Sequence, residues 1–430
     1  MVMRHTPVIP RHVPSLNAGD YAAYARPRRP GRADQAEALE ALWRSRLGPC
    51  RIVPTPTGRQ ALWEFLDRAG LQDGDEVLVA AYNFYVIVRI LLQRQLVPVF
   101  VDIEPDTLCM DPADLARKVT TRSRLVLVTH LFGNPADLAR ITAVCRPHGL
   151  LLFEDCAHAV GTMCGGAHAG SRSDGALFSF GIYKIVNTFG GGMLALPQGS
   201  RAAGQGGARP PAARGPAAFL DTFVRCAVSW LLRPRWHTAI LYPVMKFAER
   251  FLPGLHRLVY PSGNDPAYRF RLGDRAPFQP FMTAMMARQL GRLERQIERR
   301  RDIAARLKTL LVDVPQVRPL NEDRHGRSNL SYLGCYVPDP EASAAYLERE
   351  GLLANPHEYY ECSSLPQFSE HATPCERAAY AAKHLLRLPN SPAMSDVDVS
   401  RLAAALRASV NARALAAQGD KTLDETKQLR

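Results

Sequence analysis

Short apolar runs recur along the first half of the chain and alternate with segments that carry helix signals. These runs predict buried strands at 77–81, 97–102, 125–129, 150–153 and 176–180. Asp111-Pro112 and Asn134-Pro135 lie between strands, and an Asp or Asn followed by Pro is a good N-cap and first-turn pair, so we predict a helix starting at each. Strands separated by helices imply a parallel sheet with right-handed crossovers. The pattern therefore predicts an α/β fold with a large, mainly parallel sheet.

Further elements are predicted on either side of this sheet. Residues 1–32 are rich in Pro and Arg and predict an extended N-terminal arm, followed by a helix at 33–47. An apolar stripe with Arg and Glu between its members predicts one long helix over 281–311. Beyond it we predict a strand at 331–337, helices at 341–350 and 375–386, a loop at 359–360 and a last helix starting near 396. The chain thus divides into an arm at 1–32, a large domain at 33–275, a smaller C-terminal α/β domain at 276–412 and a mobile tail at 413–430.

The composition is that of a folded globular protein. Of the 430 residues, 47% are hydrophobic and 22% are charged. The first residues have no apolar core of the kind that a secretory signal requires, so we expect a cytoplasmic protein. The nine cysteines include no C-x-x-C pair, which favours neither a disulfide framework nor a zinc site. We therefore expect no metal.

Three chemically useful side chains lie at or just past predicted strands between residues 150 and 194. Asp155 follows the apolar run 150–153, Ser179 lies in the run 176–180, and Lys184 follows it before the glycine triplet 190–192. Pyridoxal phosphate (PLP) needs a lysine amine for a Schiff base, an acid to keep its ring nitrogen protonated and donors for its phosphate. Each residue alone has a plainer interpretation, as a helix N-cap or a solvated loop charge. Their order and spacing together favour a PLP site.

The same stretch resembles the DegT/DnrJ/StrS family of PLP-dependent sugar aminotransferases. The matching text is EDCAHAVG from Glu154, FSF from Phe178, and the lysine at 184. The resemblance implies a PLP-dependent transferase of fold type I, with Lys184 as the catalytic residue that holds the cofactor. It also implies that Asp155 contacts the ring nitrogen and that Ser179 contributes to the phosphate site.

The resemblance implies further cofactor contacts, and at the turn 55–66 it agrees with the attraction of a helix N-terminus for phosphate. Gly58 and Arg59 lie in a turn, 55–66, that opens into an amphipathic helix, and the family binds the phosphate there, although Arg59 replaces its threonine. Phe84 matches an aromatic residue that stacks on the ring, and His158 matches a Gln or His that orients the cofactor. His130 matches a family histidine near the site. Gln279 stands where the family has an asparagine that reaches the partner subunit's cofactor, so that contact is altered or absent.

The implied reaction moves an amino group from an amino acid, commonly glutamate, to a nucleotide-linked keto-sugar. The family works as homodimers in polysaccharide, glycolipid or secondary-metabolite sugar biosynthesis. Two alternatives stay open. The chain can be a non-catalytic regulatory or structural homologue, for which Arg59 and Gln279 are the main support, or it can carry out another PLP reaction, such as dehydration, although the family's dehydratases lose the lysine that Lys184 retains.

An insertion at 197–275 departs from the family pattern. Residues 201–275 contain twelve lysine and arginine residues against four acidic residues. Two apolar, aromatic-rich segments, 219–232 and 236–251, predict helices that bury a wide face. They can pack on the protein itself, join a dimer interface, or lie on an anionic membrane surface as a peripheral contact through 219–251. Nucleic acid is not expected as a partner, because the basic residues alternate with long apolar runs.

Overall fold

The structure is a computed structural model, and it describes residues 9, 16–24, 32–202, 278–357 and 359–411. Most of the predicted insertion, including the apolar segments within 219–251, lies outside the described residues, as does the predicted tail at 413–430. The packing, dimer and membrane interpretations of 219–251 therefore stay predictions. Within the described residues, no helix has the length and apolar character needed to cross a membrane.

Fifteen strands are described along the chain. In the first half they are β1 (Cys50–Thr55), β2 (Glu76–Ala80), β3 (Tyr82–Asn83), β4 (Val97–Val101), β5 (Ser123–Thr129), β6 (Leu151–Asp155), β7 (Met163–Cys164), β8 (Ala167–His168), β9 (Gly175–Ser179) and β10 (Gly192–Pro197). In the second half they are β11 (Arg318–Pro319), β12 (Gly326–Arg327), β13 (Leu333–Tyr336), β14 (Tyr360–Glu361) and β15 (Leu385–Leu388).

The large domain is organised around a seven-stranded sheet with the order β1-β10-β9-β6-β5-β2-β4. Neighbours from β9 to β4 pair in parallel, whereas β10 is antiparallel to both β9 and β1. The central strands are buried because helices cover both faces, and this explains why they appear in the sequence as continuous apolar runs. The predicted α/β class and the strands at 97–102, 125–129, 150–153 and 176–180 are confirmed within one or two residues.

The helices surround this sheet and build the C-terminal part. They are α1 (Ala18–Tyr24), α2 (Arg32–Leu47), α3 (Gly58–Arg68), α4 (Tyr85–Gln93), α5 (Pro112–Lys118), α6 (Leu138–Cys145), α7 (Pro280–Leu290), α8 (Leu293–Leu310), α9 (Pro340–Arg349), α10 (Glu376–His384) and α11 (396–411). Short 3-10 turns occur at Leu131–Gly133, Cys362–Ser364 and Pro366–His371. The smaller sheet, β11-β13-β15, packs with α8, α9 and α11 around a separate apolar core.

Two predicted helix boundaries are wrong for identifiable reasons. The helix expected from Asn134 begins at Leu138, with Asp137 as its N-cap. Asn134 does not cap it, because its side chain is buried and donates to the backbone oxygen of Thr107 at 3.0 Å. The long helix expected over 281–311 is two helices, α7 and α8, which are interrupted at Gly291 and Arg292.

Residues 1–32 are predicted to form an extended arm. This prediction is wrong for part of the arm, because α1 lies within it. The buried carboxylate of Asp20 forms an ion pair with Arg292, the residue at the α7–α8 break. Farther towards the N-terminus, the amide of Ile9 donates to the oxygen of Gly351 at 2.8 Å, and the oxygen of Ile9 accepts from Leu353 at 3.0 Å. The arm therefore contacts the helix pair at one point and the C-terminal part at another.

Candidate active site

The parallel strands bring the predicted site residues to one edge of the large sheet. Asp155 ends β6, and it lies opposite Thr129 at the end of β5 and Leu177 of β9. Ser179 ends β9 and lies opposite Gly192, where the antiparallel β10 begins. Ligands of open α/β sheets bind outside the carboxyl ends of the strands. The sheet therefore gathers the acid, the hydroxyl and the glycine loop at the place where a ligand is expected.

The turn before α3 is closely packed against the glycine triplet. Thr57 is the N-cap of α3, and its side chain accepts a hydrogen bond from the Gln60 amide at 3.2 Å. A Cβ atom added to Gly192 would lie 2.4 Å from the carbonyl carbon of Thr57, and one added to Gly58 would lie 3.0 Å from the Cβ of Ser179. Only glycine permits this approach. The start of α3, where a helix presents backbone amides, thus lies beside Ser179, and Arg59 is partly exposed on its first turn.

The carboxylate of Asp155 is buried, and a hydrogen bond fixes its orientation. Its Oδ1 accepts a hydrogen bond from the Ala157 amide at 2.9 Å. Burial raises the pKa of Asp155, while the Ala157 hydrogen bond and the nearby charges of Lys184 and His130 act in the opposite direction. The structure thus places the charge of Lys184 within electrostatic range of Asp155. A cation placed at this carboxylate would offset the cost of burying its charge.

A second buried acid lies next to Asp155 and belongs to a hydrogen-bonded network. Oε2 of Glu154 is 2.9 Å from Nε2 of His130 and accepts from the Gly170 amide at 2.8 Å, while the Ala136 amide donates to Nδ1 of His130 at 3.2 Å. The sulfur atom of Cys156 lies within 4.8 Å of the His130 and Glu154 ligand atoms, a spacing that can suit a metal. Because both nitrogens of His130 already have hydrogen-bond partners, we interpret this group as structural support for the strand ends.

His158 lies in an aromatic cluster that the sequence did not predict. Its Nε2 atom is 2.9 Å from the hydroxyl of Tyr359, and its ring contacts those of Tyr359 and Tyr332 edge-on. The Tyr359 ring also meets that of Phe84 at 87°, with 6.4 Å between the centroids. The prediction that Tyr360 lies in a loop is wrong, because Tyr360 begins β14, which pairs with β3. This pairing brings Tyr359, from the C-terminal part of the chain, to Phe84 and His158, which are both predicted to contact the cofactor.

The loop that carries Lys184 is held by a residue of α7 that the sequence also did not single out. The side chain of Gln289 accepts from the Asn187 amide at 2.9 Å and donates to the Asn187 carbonyl at 2.7 Å. Both residues are buried. The side chain of Asn187 in turn bonds to the backbone of Ile182 and Phe189. The side-chain amide of Gln289 therefore satisfies both the N–H and the C=O group of Asn187, as the backbone of a neighbouring strand would.

Gln289→Met is expected to lower the free energy of unfolding by about 2–4 kcal/mol. It nearly keeps the side-chain volume but leaves two buried backbone groups of Asn187 without partners, at about 1–3 kcal/mol each. Denaturant unfolding of the two proteins measures the difference. The matched control is Gln367→Met, at an exposed position, which is expected to change stability little. Equal effects of the two substitutions would contradict the role of Gln289.

PLP fits this arrangement by the chemistry of its groups. The start of α3 and Ser179 offer donors to a phosphate, and they lie next to each other because Gly58 permits their close approach. Asp155 offers a buried carboxylate to a ring nitrogen that carries a proton, and Lys184 offers an amine close to that carboxylate. Phe84 and His158 are linked through Tyr359 on the same side of the sheet. Gln279 is the N-cap residue of α7, whose Met282 and the nearby Phe278 contact the glycine triplet at Gly191.

Curated relatives match the chain over limited segments. L-glutamine:scyllo-inosose aminotransferase of Streptomyces griseus is 36% identical over 147 residues, which are 34% of this chain and 35% of that protein. GDP-perosamine synthase of Vibrio cholerae is 34% identical over 137 residues, 32% of this chain and 37% of that protein. A pleiotropic regulatory protein of Geobacillus stearothermophilus is 36% identical over 138 residues, which are 32% of this chain and 37% of that protein. The matches thus span about a third of the length of these relatives.

Solved structures match nearly the whole chain. DesI, crystallised in the presence of its TDP-sugar product, has a TM-score of 0.71 at 24% identity, covering 96% of each chain. Spr1654 from Streptococcus pneumoniae, in its PLP form, has a TM-score of 0.70 at 18% identity, covering 94% of this chain and 99% of that one. At these identities the likeness establishes the fold. The predicted fold, a PLP-dependent transferase of type I, is confirmed.

A family model covers most of the chain and leaves out residues 204–261, the middle of the insertion predicted at 197–275. It matches residues 32–203 and 262–407, and it describes the DegT/DnrJ/EryC1/StrS aminotransferase family. This confirms the predicted resemblance, and PLP, the predicted cofactor, is present in a solved structure of the same fold. The chain belongs to the DegT/DnrJ/EryC1/StrS aminotransferase family.

Proposed function

We propose that this protein is a PLP-dependent aminotransferase that moves an amino group from an amino acid to a keto-sugar. The observation that carries the proposal is the burial of Asp155 at the carboxyl end of β6, where burial raises the pKa of Asp155 and the charge of Lys184 lowers it, on the sheet edge that also carries Ser179 and Gly58. An amine that forms a Schiff base and an acid that keeps a ring nitrogen protonated are the two groups that PLP chemistry requires. A buried carboxylate is costly unless an opposite charge or a hydrogen-bond partner compensates it, and both Lys184 and a protonated ring nitrogen can do so.

The predicted residues divide between the two ends of the cofactor. The α3 amides after Gly58, the side chain of Arg59 and the hydroxyl of Ser179 would hold the phosphate. Asp155 would hold the ring nitrogen, while Phe84 and His158 would fix the ring. An arginine forms charge-assisted hydrogen bonds to phosphate, so Arg59 can replace a hydroxyl contact and add a charge.

When bound, PLP supplies an electron-accepting ring that carries an amino group and stabilises negative charge on the adjoining substrate carbon. Lys184 would take the proton from that carbon and return it to the other side of the transferred nitrogen, acting as general base and then as general acid. Asp155 would keep the proton on the ring nitrogen, where the proton stabilises the negative charge that develops during the reaction. Burial of Asp155 excludes water from this contact, which strengthens it.

We infer that the amino donor is glutamate or glutamine and that the acceptor is a nucleotide-linked keto-sugar. Glutamate was the donor implied by the motifs, and the name of the S. griseus relative contains L-glutamine. GDP-perosamine synthase and DesI are named with nucleotide sugars, whereas the S. griseus enzyme is named with scyllo-inosose, a cyclic ketone. We also propose a homodimer, as the family resemblance implies, with the contact to the partner subunit's site altered at Gln279.

A regulatory function without turnover is the second candidate. It is favoured by the name of the G. stearothermophilus relative, a pleiotropic regulatory protein, and by the changes at Arg59 and Gln279. The retained Lys184 and Asp155 favour catalysis instead.

Absorbance spectra of the two half-reactions test the proposal. Addition of glutamate or glutamine to the PLP-loaded protein is expected to convert its visible absorbance band to a near-ultraviolet band, because the amino group stays on the cofactor. A panel of GDP-, UDP- and TDP-linked keto-sugars, with scyllo-inosose, is then expected to restore the visible band with at least one acceptor. A loaded protein that reacts with neither donors nor acceptors would favour the regulatory candidate.

A further inference from the structure

Among the described residues, Tyr332 and Tyr359 contact the ring of His158, and the hydroxyl of Tyr359 also lies within hydrogen-bonding distance of it. Tyr359 lies 5.7 Å from the His158 ring between centroids, and its oxygen is 2.9 Å from Nε2. Tyr332 lies closer, at 4.7 Å, yet its hydroxyl points to the backbone oxygen of Tyr183 at 3.4 Å. The two tyrosines therefore share the packing role, and the Tyr359 hydroxyl makes an additional polar contact.

The direction of the Tyr359–His158 hydrogen bond follows from the acidity of its two groups. A phenol is the more acidic donor, and an imidazole nitrogen is the more basic acceptor. The stronger arrangement therefore places the proton on the tyrosine oxygen, which donates to Nε2. A neutral imidazole carries one proton, so Nε2 as acceptor requires that proton to be on Nδ1.

We propose that Tyr359 is a positioning residue that fixes His158 as the tautomer with its proton on Nδ1. His158 then presents a donor N–H at Nδ1 in an orientation set by two ring contacts and one hydrogen bond. The consequence for the cofactor rests on the proposed function, because a donor next to PLP stabilises an oxygen anion on its ring. The tautomer itself does not depend on that function.

Backbone contacts explain why Tyr359 can hold this position from a distant part of the chain. Tyr360 and Glu361 pair with Asn83 and Tyr82 as two short antiparallel strands. The amide of Cys362 adds a hydrogen bond to the oxygen of Ala81 at 2.7 Å. Phe84 follows β3 directly, so one strand pairing sets Tyr359 relative to both Phe84 and His158. Tyr359 therefore links the two residues predicted to contact the cofactor ring.

The tautomer is measured on the cofactor-free protein by long-range proton–nitrogen correlation of ¹⁵N-labelled histidines. His158→Gln identifies the signal by its loss. We expect the wild-type spectrum to show a protonated Nδ1 and an unprotonated, hydrogen-bonded Nε2. Tyr359→Phe, which removes only the hydroxyl, is expected to shift His158 towards a mixture of tautomers. Tyr332→Phe is the matched control and is expected to leave the signal unchanged.

Equilibrium binding of PLP gives a second readout. Tyr359→Phe is expected to raise the Kd for PLP about fivefold to tenfold, as the loss of one neutral hydrogen bond implies, and Tyr332→Phe is expected to change it less than twofold. A proton on Nε2 in the wild-type protein, or identical spectra for Tyr359→Phe and the wild type, would overturn the proposal. If no variant binds PLP but the tautomer changes as expected, the proposed function fails while the role of Tyr359 stands.

Discussion

Lys184→Met is expected to abolish turnover, with a decrease in kcat of about 10³-fold or more. The substitution keeps the length of the side chain but removes the amine, and with it both the covalent attachment of PLP and the proton transfer at the substrate carbon. General acid–base catalysis alone contributes about 10²–10⁴-fold. Borohydride treatment of the PLP-loaded wild type is expected to leave a stable adduct on the Lys184 peptide, which mass spectrometry locates.

The matched control for this substitution is Lys383→Met, at an exposed position in α10. It is expected to keep the yellow colour, the adduct at Lys184 and near wild-type turnover. A wild-type protein that stays colourless with added PLP would reject the assignment of Lys184. So would an adduct on a different lysine.

Asp155→Asn is expected to slow transamination by orders of magnitude while leaving the fold intact. The amide keeps an oxygen for the Ala157 hydrogen bond, so the local backbone geometry is preserved. It cannot hold the proton on the ring nitrogen, and loss of such electrostatic stabilisation costs about 10²–10³-fold in kcat. Steady-state kinetics with saturating PLP measures the effect, and Asp73→Asn, at an exposed position, is the control. Turnover near that of the wild type would reject the role of Asp155.

The same substitution is expected to stabilise the cofactor-free protein at neutral pH. Burial raises the pKa of Asp155 in the folded state, so the folded protein holds this proton more tightly than the unfolded chain does. The stability that this group contributes is complete below its unfolded pKa of about 3.9 and is lost as the pH rises through the folded pKa. The asparagine side chain of the variant does not titrate. The greater stability of the variant should therefore vanish at low pH, where Asp155 of the wild type is protonated in the folded protein. Thermal unfolding of both proteins from pH 4 to pH 8 measures this difference.

Local sequence signals predicted the sheet and the acid, hydroxyl and amine at its edge. A buried parallel strand is apolar along its whole length, so the runs that became β4, β5, β6 and β9 were visible without any tertiary information. The residues after such strands fall at one edge of the sheet, which is why Asp155 and Lys184 were recognised together. The turn at Gly58 is visible as the start of an amphipathic helix, whereas Phe84 and His158 depend on the resemblance because no local pattern distinguishes them.

Residues whose roles depend on distant partners were not predicted. Gln289 looks like an ordinary polar residue in an amphipathic helix, and only the approach of Asn187 makes it essential to the Lys184 loop. Tyr359 precedes β14, which gives no strand signal because it is two residues long and forms by pairing with the distant β3. Asn134 has the sequence context of an N-cap, but its Oδ1 accepts a hydrogen bond from the hydroxyl of the distant Ser328 at 2.9 Å, and its amide group donates to Thr107.

The pairing of β1 with β10 has a consequence for the order in which the protein can be made. During synthesis, the segment that ends at Thr55 leaves the ribosome long before Gly192, its partner across the sheet. Until then β1 is an apolar strand without its neighbour, and the turn at Gly58 has nothing to pack against. Long-range pairings of this kind slow folding and expose strand edges to other chains. A nascent chain that stalls before Gly192 would therefore be prone to aggregate and unable to capture PLP, so the cofactor can stabilise this protein only late in its synthesis.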